Sequence, residues 1–226
     1  MKFLAIIPAR GGSKGVPNKN IKLLKGNPLI TYTIESALNS KIEKVIVSTD
    51  SENIAGVAIK YGVEVVRRPK KLSADNSPTL PVLQHVLKKV KKKYDCVVTL
   101  QPTSPFRTNS HINDALELFK KSNTDSLVSV CAVPHNYNPY SVMSLDEEGL
   151  LQPFLNYDES KNSRQFKPTF YARNGAAIYI TKTEIISKYN SIYGKNIKPY
   201  FMDEKSSFDI DSIWDWNLAE LIKNNI

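Results

Sequence analysis

Short apolar runs alternate with amphipathic segments, and this alternation is the feature that most limits how the chain can fold. The runs predicted as strands are residues 3–7, 44–50, 63–66, 96–100 and 126–130. Between them lie segments with the apolar spacing and starting residues of helices. Strands that alternate with helices predict an α/β fold, in which helices flank a mostly parallel central sheet.

Polar loops follow the first four predicted strands. They cover residues 8–20, 48–50, 67–68 and 101–107. Because ligands of open α/β sheets bind outside the carboxyl ends of the strands, we expect these loops to form a single site.

The loop after the first strand, within the segment IPARGGSKGVPNKN, is rich in glycines and cations: Gly11, Gly12, Gly15, Arg10, Lys14 and Lys19. Glycines let backbone amides turn toward a bound group, and a concave set of amides suits a polyanion. Cations match the charge of a phosphate chain. The pattern is neither G-x-x-x-x-G-K-[ST] nor G-x-G-x-x-G. We therefore predict a triphosphate-binding loop of a different kind, with a plain surface loop as the alternative.

A second informative stretch, SFDID, lies near the carboxyl end of the chain. In an extended segment, Asp209 and Asp211 point to one side while Ile210 faces the core. Two converging carboxylates suit Mg²⁺, which binds one or two carboxylates together with substrate phosphates. The alternative is that one aspartate caps the last helix and the other is solvated.

Further polar residues follow other predicted strands or lie where residues 134–172 rejoin the sheet. Arg68 follows the third strand, and Gln101 opens a stiff loop with two prolines, QPTSP. Arg164 and Arg173 offer cations that an acidic substrate would need. The alternative for Arg68 is a plain exposed basic loop, and the alternative for the Gln101 segment is a rigid turn without a binding role.

The βα pattern stops near Pro134. Residues 134–172 carry tyrosine, asparagine and proline with weak alternation, which predicts an inserted β arm within a single domain spanning residues 1–226. Exposed aromatic residues on such an arm favour a homodimer.

The charge and cysteine content of the chain indicate which kinds of ligand and which cellular compartment to expect. The net charge of +9 favours anionic partners, but no nucleic-acid motif accompanies the lysines of KKVKKKY, so we expect no nucleic acid. Cys96 and Cys131 lie in apolar runs and are expected to be buried free thiols, which favours the cytoplasm. No apolar run is long enough for a membrane span. We expect the first ten residues not to act as a signal peptide, because their apolar run is short and RGGSKG stands in place of a cleavage region.

Six segments together closely resemble the acylneuraminate cytidylyltransferases, which make CMP-activated nonulosonic acids. They are IPARGGSKGVPNKN, VSTD, the RRP of VVRRPKKLSAD, LQPTSPFR, RNGAAIYI and FDID. The resemblance covers nearly the whole chain. It implies a Rossmann-like α/β nucleotidyltransferase fold, CTP as donor, a nonulosonic acid as acceptor, Mg²⁺ as cofactor and a dimer formed through the inserted arm.

The resemblance also assigns residues. The triphosphate and nucleotide site would comprise Ala9, Arg10, Gly11, Ser13, Lys19, Asn20, Arg68 and Thr79. Gln101 would contact the acceptor, and Arg164 would reach the site of the neighbouring subunit. Apart from the resemblance, we expect Arg173 to contact the acceptor because of its charge and its position where the arm rejoins the sheet. Asp209 and Asp211 would carry the metal, and the residues assigned to catalysis are Arg10, Lys19 and Asp211.

One departure from the family pattern bears on the acceptor. Sialic acid-specific relatives tend to carry a lysine where this chain has Tyr140, within HNYNPYSVM. We therefore expect the acceptor to be a sialic-type, legionaminic-type or other nine-carbon acid, with Tyr140 in contact with it and favouring an acid less polar than sialic acid. The alternatives are a 3-deoxy-manno-octulosonate cytidylyltransferase, a metal-dependent glycosyltransferase with a DxD motif, and a non-catalytic anion- or nucleic-acid-binding protein.

Overall fold

A computed structural model describes residues 1–74, 76–155 and 168–224. In this part of the chain, helices flank a central eight-stranded sheet. The predicted α/β fold is confirmed.

The strands are short and follow the apolar runs of the sequence. They are β1 (Phe3–Pro8), β2 (Leu23–Leu24), β3 (Asn27–Pro28), β4 (Lys44–Thr49), β5 (Glu64–Arg67), β6 (Cys96–Thr99), β7 (Ser126–Ala132), β8 (Met143–Leu145), β9 (Leu151–Pro153), β10 (Tyr171–Arg173), β11 (Tyr179–Lys182) and β12 (Ile197–Phe201). The helices are α1 (Leu29–Leu38), α2 (Glu52–Lys60), α3 (Thr79–Lys89), α4 (Asn109–Lys121), α5 (Thr183–Ser187) and α6 (Ile213–Asn224).

The sheet is parallel through its first four strands, in the order β5-β4-β1-β6. Strand β1 is central, and its Ile6 pairs with Ile46 of β4 and Thr99 of β6. The antiparallel strand β11 then lies between β6 and β7. Strand β10 is antiparallel to β7, and β12 pairs parallel with it. Four parallel carboxyl ends therefore meet at one edge.

The core has a layer on each face of the sheet, set by the alternation of side chains along β1. Ile7 packs on one face with residues of α1, α2 and α4, including Ile34 and Phe119. Ile6 packs on the other face with Leu83 of α3 and Ile186 of α5. Helices thus cover both faces, as a buried parallel sheet requires.

Helix α4 begins with a reciprocal cap, in which the Thr108 side chain accepts from the amide of His111 and the imidazole of His111 accepts from the amide of Thr108. Strand β11 begins only at Tyr179, since Gly175 and Ala176 before it have left-handed φ of 64° and 57°. One prediction was wrong: Cys131 is only partly buried, whereas Cys96 is buried as expected.

The described part of the arm contains a small hairpin. Strands β8 and β9 pair antiparallel as a separate two-stranded sheet, and Leu145, Leu151 and Phe154 are exposed on it. Residues 156–167 of the predicted arm, and with them Arg164, lie outside the described residues. Over the described ranges, no helix combines the length and apolar character that crossing a membrane requires.

Candidate active site

A polar cavity of about 340 Å³ opens at the carboxyl edge of the sheet. Its walls come from the loops after β1, β5 and β6, the start of α3, and the segment before α6. The sequence-predicted residues that line it are Arg10, Ser13, Lys19, Asn20, Arg68, Thr79, Gln101 and Asp211. Residues that are distant in sequence are therefore brought together around one space.

Ala9 and Gly11, also predicted for the nucleotide site, do not line the cavity but attach the loop after β1 to the end of β4. Ala9 is fully buried, and its amide donates to the carbonyl of Ser48 over 2.9 Å. The amide of Gly11 donates to a carboxylate oxygen of Asp50 over 3.0 Å. Asp50 ends the VSTD segment and belongs to the loop at 48–50 that was expected at the site, although no individual role was predicted for it.

The loop after β1 is fixed by side chains as well as by its glycines. The amide nitrogen of the Asn20 side chain donates to the carbonyl of Arg10 over 2.9 Å. A Cβ on Gly11 would lie 3.0 Å from the Cβ of Ser51, so this glycine permits close approach to the start of α2. The loop therefore holds Arg10 and Lys19 on the cavity wall.

Lys19 links the two ends of the chain. Its ammonium donates to the carbonyl of Ile210 over 2.5 Å and to the carboxylate of Asp211 over 3.2 Å. The Lys19 side chain is 13% exposed and that of Asp211 is 77% exposed. This ion pair places a cation from the glycine-rich loop directly beside the aspartate motif.

Asp209 and Asp211 differ in environment. Ile210 between them is fully buried, as the alternating pattern predicts, and its amide donates to the carbonyl of Thr103 over 3.0 Å. Burial raises the pKa of Asp209 to about 6, and the neighbouring charge of Asp211 acts in the same direction. The positive charge of Lys19 partly opposes this shift. Asp209 thus lies beneath the cavity wall while Asp211 faces the opening.

The segment after the motif is capped by other residues. The Asp215 carboxylate accepts from the amides of Asp211 and Ser212, and the Ser212 hydroxyl accepts from the amide of Asp215. This reciprocal pair starts α6. The alternative in which Asp209 or Asp211 caps that helix is therefore wrong, and both carboxylates are left for other work. The S-x-x-D spacing was the missed signal.

The pair of aspartates fits a hard divalent cation. One oxygen of Asp209, Oδ1, is buried and has no hydrogen-bond partner among the described residues. An unpartnered buried carboxylate oxygen is costly unless a cation or donor meets it. No third histidine, cysteine or acidic side chain joins the pair in the described ranges. Phosphate oxygens and water would supply the remaining ligands that Mg²⁺ prefers.

Arg68 is a buried cation on the cavity wall. It is only 8% exposed, and burial lowers the pKa of its guanidinium, with Asp50 opposing the change and Arg10 reinforcing it. Its Nη1 donates to the carbonyl of Leu72 over 3.4 Å, while its buried Nε has no partner in the described ranges. Such a group suits a bound anion.

A second cavity of about 330 Å³ adjoins the first. Thr79 and Gln101 line both, and Arg173, Tyr179 and Tyr193 line the second alone. The guanidinium of Arg173 donates to the hydroxyl of Tyr193 over 2.6 Å, and this bond raises the pKa of Arg173. Sequence reasoning missed Tyr193, which lies in the connection between α5 and β12.

Tyr140 is not part of either cavity. It lies in a short turn, where its ring packs edge-on against Phe170 at 5.6 Å between centroids. The contact between Tyr140 and the acceptor stays a prediction, which the lining of these two cavities does not support.

Comparison with known proteins gives the family. Residues 4–221 match the model of the family described as Cytidylyltransferase. The chain is 40% identical to a CMP-N,N'-diacetyllegionaminic acid synthase of Legionella pneumophila, covering 97% of this chain and 95% of that protein. It is 38% identical to an N-acylneuraminate cytidylyltransferase of Escherichia coli over 98% of its own length, but spans only 52% of that longer protein.

A solved structure shares the fold. It is a CMP:2-keto-3-deoxy-manno-octonic acid synthetase complexed with CTP, with a TM-score of 0.76, 17% identity and complete coverage of both chains. At this identity the likeness concerns the fold. Together with the match along the sequence, these findings establish that the chain belongs to the cytidylyltransferase family, alongside the acylneuraminate and legionaminic acid enzymes.

Proposed function

We propose that the protein transfers CMP from CTP to the anomeric hydroxyl of a nonulosonic acid and releases pyrophosphate. The observation that carries the proposal is the pair of adjoining cavities. One combines Arg10, Lys19 and Arg68 with Asp211, and the other contains Arg173. A triphosphate and an acidic sugar are the ligands that these charges fit, and the names of the relatives point to the same reaction.

The first cavity would hold the nucleotide. Arg10, Lys19 and Arg68 neutralise the triphosphate, and the backbone around Ala9 and Gly11 presents the loop. Ser13, Asn20 and Thr79 supply further polar contacts. In the reaction, the anomeric oxygen bonds to the α-phosphorus, the bond from the α-phosphorus to the pyrophosphate oxygen breaks, and the hydroxyl proton passes to solvent water. Arg10 and Lys19 offset the charge that grows on the leaving pyrophosphate.

Mg²⁺ is proposed as the cofactor, held by Asp209 and Asp211. When bound, it would polarise the α-phosphate and lower the pKa of the attacking hydroxyl. The Asp215 carboxylate, which accepts from the amides of Asp211 and Ser212, fixes the turn that directly follows the two proposed metal ligands.

The second cavity would hold the acceptor. Arg173 would pair with its carboxylate, and Gln101, which lines both cavities, would lie beside the two substrates. Arg164 stays a prediction for the neighbouring subunit's site. Since Tyr140 lines neither cavity, Tyr179 and Tyr193 are the aromatic residues proposed to favour a sugar with fewer hydroxyl groups.

The other candidate functions fit less well. A DxD glycosyltransferase would carry its motif after a mid-chain strand, whereas Asp209 and Asp211 lie just before the last helix. An octulosonate acceptor remains the second candidate, because the structural neighbour with 17% identity acts on that class of sugar.

We also propose that the single domain, residues 1–226, forms a homodimer through the arm at 134–172. Apolar side chains are exposed on the hairpin and on edge strand β12, where Phe201 packs against exposed Tyr171 at 4.8 Å between ring centroids. A second copy would cover this surface. Phe201→Glu should shift the mass measured by light scattering toward the monomer, whereas Tyr189→Glu, at another exposed aromatic residue, should not.

The reaction is proposed for the cytoplasm, in line with the two unpaired cysteines.

Pyrophosphate release from CTP tests the activity. We expect release to require Mg²⁺ and an added acid from a panel of sialic, legionaminic, pseudaminic and octulosonic acids. Asp211→Asn should reduce turnover by roughly 10²–10³-fold, while Asp114→Asn, an exposed aspartate on α4, should leave it unchanged. Release without any acid, or full activity of Asp211→Asn at saturating Mg²⁺, would contradict the proposal.

A further inference from the structure

A buried arginine ends the loop between β6 and α4. Arg107 is 3% exposed, and no carboxylate of the described residues forms an ion pair with it. Burial lowers the pKa of its guanidinium to about 9, with the charge of Asp209 opposing the change. Taking a guanidinium out of water costs free energy. The hydrogen bonds that Arg107 makes inside the protein therefore have to offset the loss of its hydration.

Those hydrogen bonds converge on the backbone at Gln101. Nη1 of Arg107 donates to the carbonyls of Gln101 over 3.1 Å and Ala177 over 2.7 Å. Nη2 donates to the hydroxyl of Thr33, which itself donates to the Gln101 carbonyl over 3.3 Å. The amide of Gln101 donates to the carbonyl of Ala176. Both polar groups of the Gln101 backbone are therefore fixed.

The second carbonyl that Arg107 binds belongs to another wall of the site. Ala177 follows the left-handed pair Gly175 and Ala176, both of which line the second cavity. A Cβ on Gly175 would lie 2.2 Å from a carboxylate oxygen of Asp209. Arg107 thus joins the Gln101 loop to the turn that packs against Asp209, and α1 anchors the junction through Thr33.

We propose that Arg107 is a positioning residue for the acceptor. It acts through the Gln101 backbone and the 175–177 turn, and it sets where the Gln101 side chain lies between the two cavities. This inference rests on the proposed function, because it assigns the second cavity to the acceptor. A purely structural arginine would instead stabilise the fold without favouring either substrate.

The test compares Michaelis constants in the pyrophosphate assay. Arg107→Lys keeps the charge but loses the fork that reaches two carbonyls, and Thr33→Val removes only the shared hydroxyl. We expect the acceptor KM to rise about tenfold or more in Arg107→Lys and by less in Thr33→Val, because small displacements of positioning groups lower rates steeply. The KM for CTP should stay unchanged. Equal rises in both constants, or no rise, would overturn the inference.

Double mutants separate positioning from stability. If Arg107 acts through Gln101, Arg107→Lys should change the acceptor KM much less in a Gln101→Ala background than in the wild type, since coupled residues are not additive. Fully additive effects would overturn the inference. If Arg107→Lys does not fold, the same cycle with Thr33→Val decides the question.

The wild-type assay separates failure of the proposed function from failure of the role proposed for Arg107. If the wild type turns over a nonulosonic acid but the mutant effects are additive, the positioning role of Arg107 is overturned and the proposed function stands. Absence of wild-type turnover with every acid of the panel overturns the proposed function, and the inference with it.

Discussion

The backbone of Gly15 passes so close to Asp211 that a Cβ at residue 15 would lie 2.0 Å from the Asp211 carbonyl oxygen. The glycine-rich loop and the aspartate motif are thus in direct contact as well as joined by Lys19. Any side chain at residue 15 must push these segments apart.

Gly15→Ala should therefore reduce turnover by at least about tenfold, because displacing a carboxylate that takes part in the proposed reaction by about 1 Å would lower the rate steeply. Gly12→Ala is the matched control, since a Cβ there would meet nothing within 4 Å. Steady-state pyrophosphate release by both variants measures the difference. Equal rates for the two variants would contradict the contact argument.

Gly175→Ala should also impair the enzyme, for two reasons that can be separated. Its φ of 64° strains a side chain, and its Cβ would overlap the Asp209 carboxylate. Gly149→Ala has a comparable φ of 81° but open space around it, so it should cost only the backbone strain, about 1–2 kcal/mol in the free energy of unfolding. Urea unfolding and kinetics of both variants should show an additional loss at residue 175 alone.

Lys19→Ala should lower turnover by roughly 10²–10³-fold, since it removes a cation proposed to stabilise the leaving pyrophosphate. It also removes the partner of the Asp211 carboxylate and the Ile210 carbonyl. Lys60→Ala, at the exposed end of α2, is the charge-matched control. Near-normal turnover of Lys19→Ala at saturating substrates would remove Lys19 from the proposed mechanism.

The stability of the metal-free protein should depend on pH through Asp209. Its pKa is raised to about 6 when folded, whereas an aspartate of an unfolded chain titrates near 4. The folded state therefore binds this proton more tightly. The stabilisation is fully present below about pH 4 and is lost as pH rises through about 6, with a slope of at most about 1.4 kcal/mol per pH unit.

Asp209→Asn should remove this component of the pH dependence. Urea unfolding in a chelator at several pH values compares the variant with the wild type, and Asp114→Asn serves as the control for a generic change in charge. Parallel curves for wild type and Asp209→Asn would contradict the assignment.

The sequence predicted most of the residues that line the first cavity because these residues follow strands. Arg10, Arg68 and Gln101 each lie just beyond a run that is visibly β-prone, and the topology of a parallel sheet brings such positions together. Asp211 was found by its spacing from Asp209. Its contact with Lys19 was not visible, since those two residues are separated by nearly the whole chain.

The second cavity, which we propose for the acceptor, was harder to predict for a physical reason. Tyr193 belongs to an irregular connection whose path is set by tertiary contacts, including the amide of Gly194 that donates to the hydroxyl of Ser126. Arg107 looks like a surface cation in the sequence but is buried against backbone carbonyls. Neither position follows a periodic pattern, so no sequence spacing indicates its place.

The position of β11 has a consequence for biosynthesis. This strand fills the space between β6 and β7, so a growing chain that has emerged only through β7 cannot close its sheet in the native order. Pairing of β1, β4, β5 and β6 can precede that moment, and strand pairings that wait for distant sequence are slow. The aspartate motif emerges later still. A ribosome-bound chain that ends before residue 209 would therefore carry most of the sheet but no complete catalytic site.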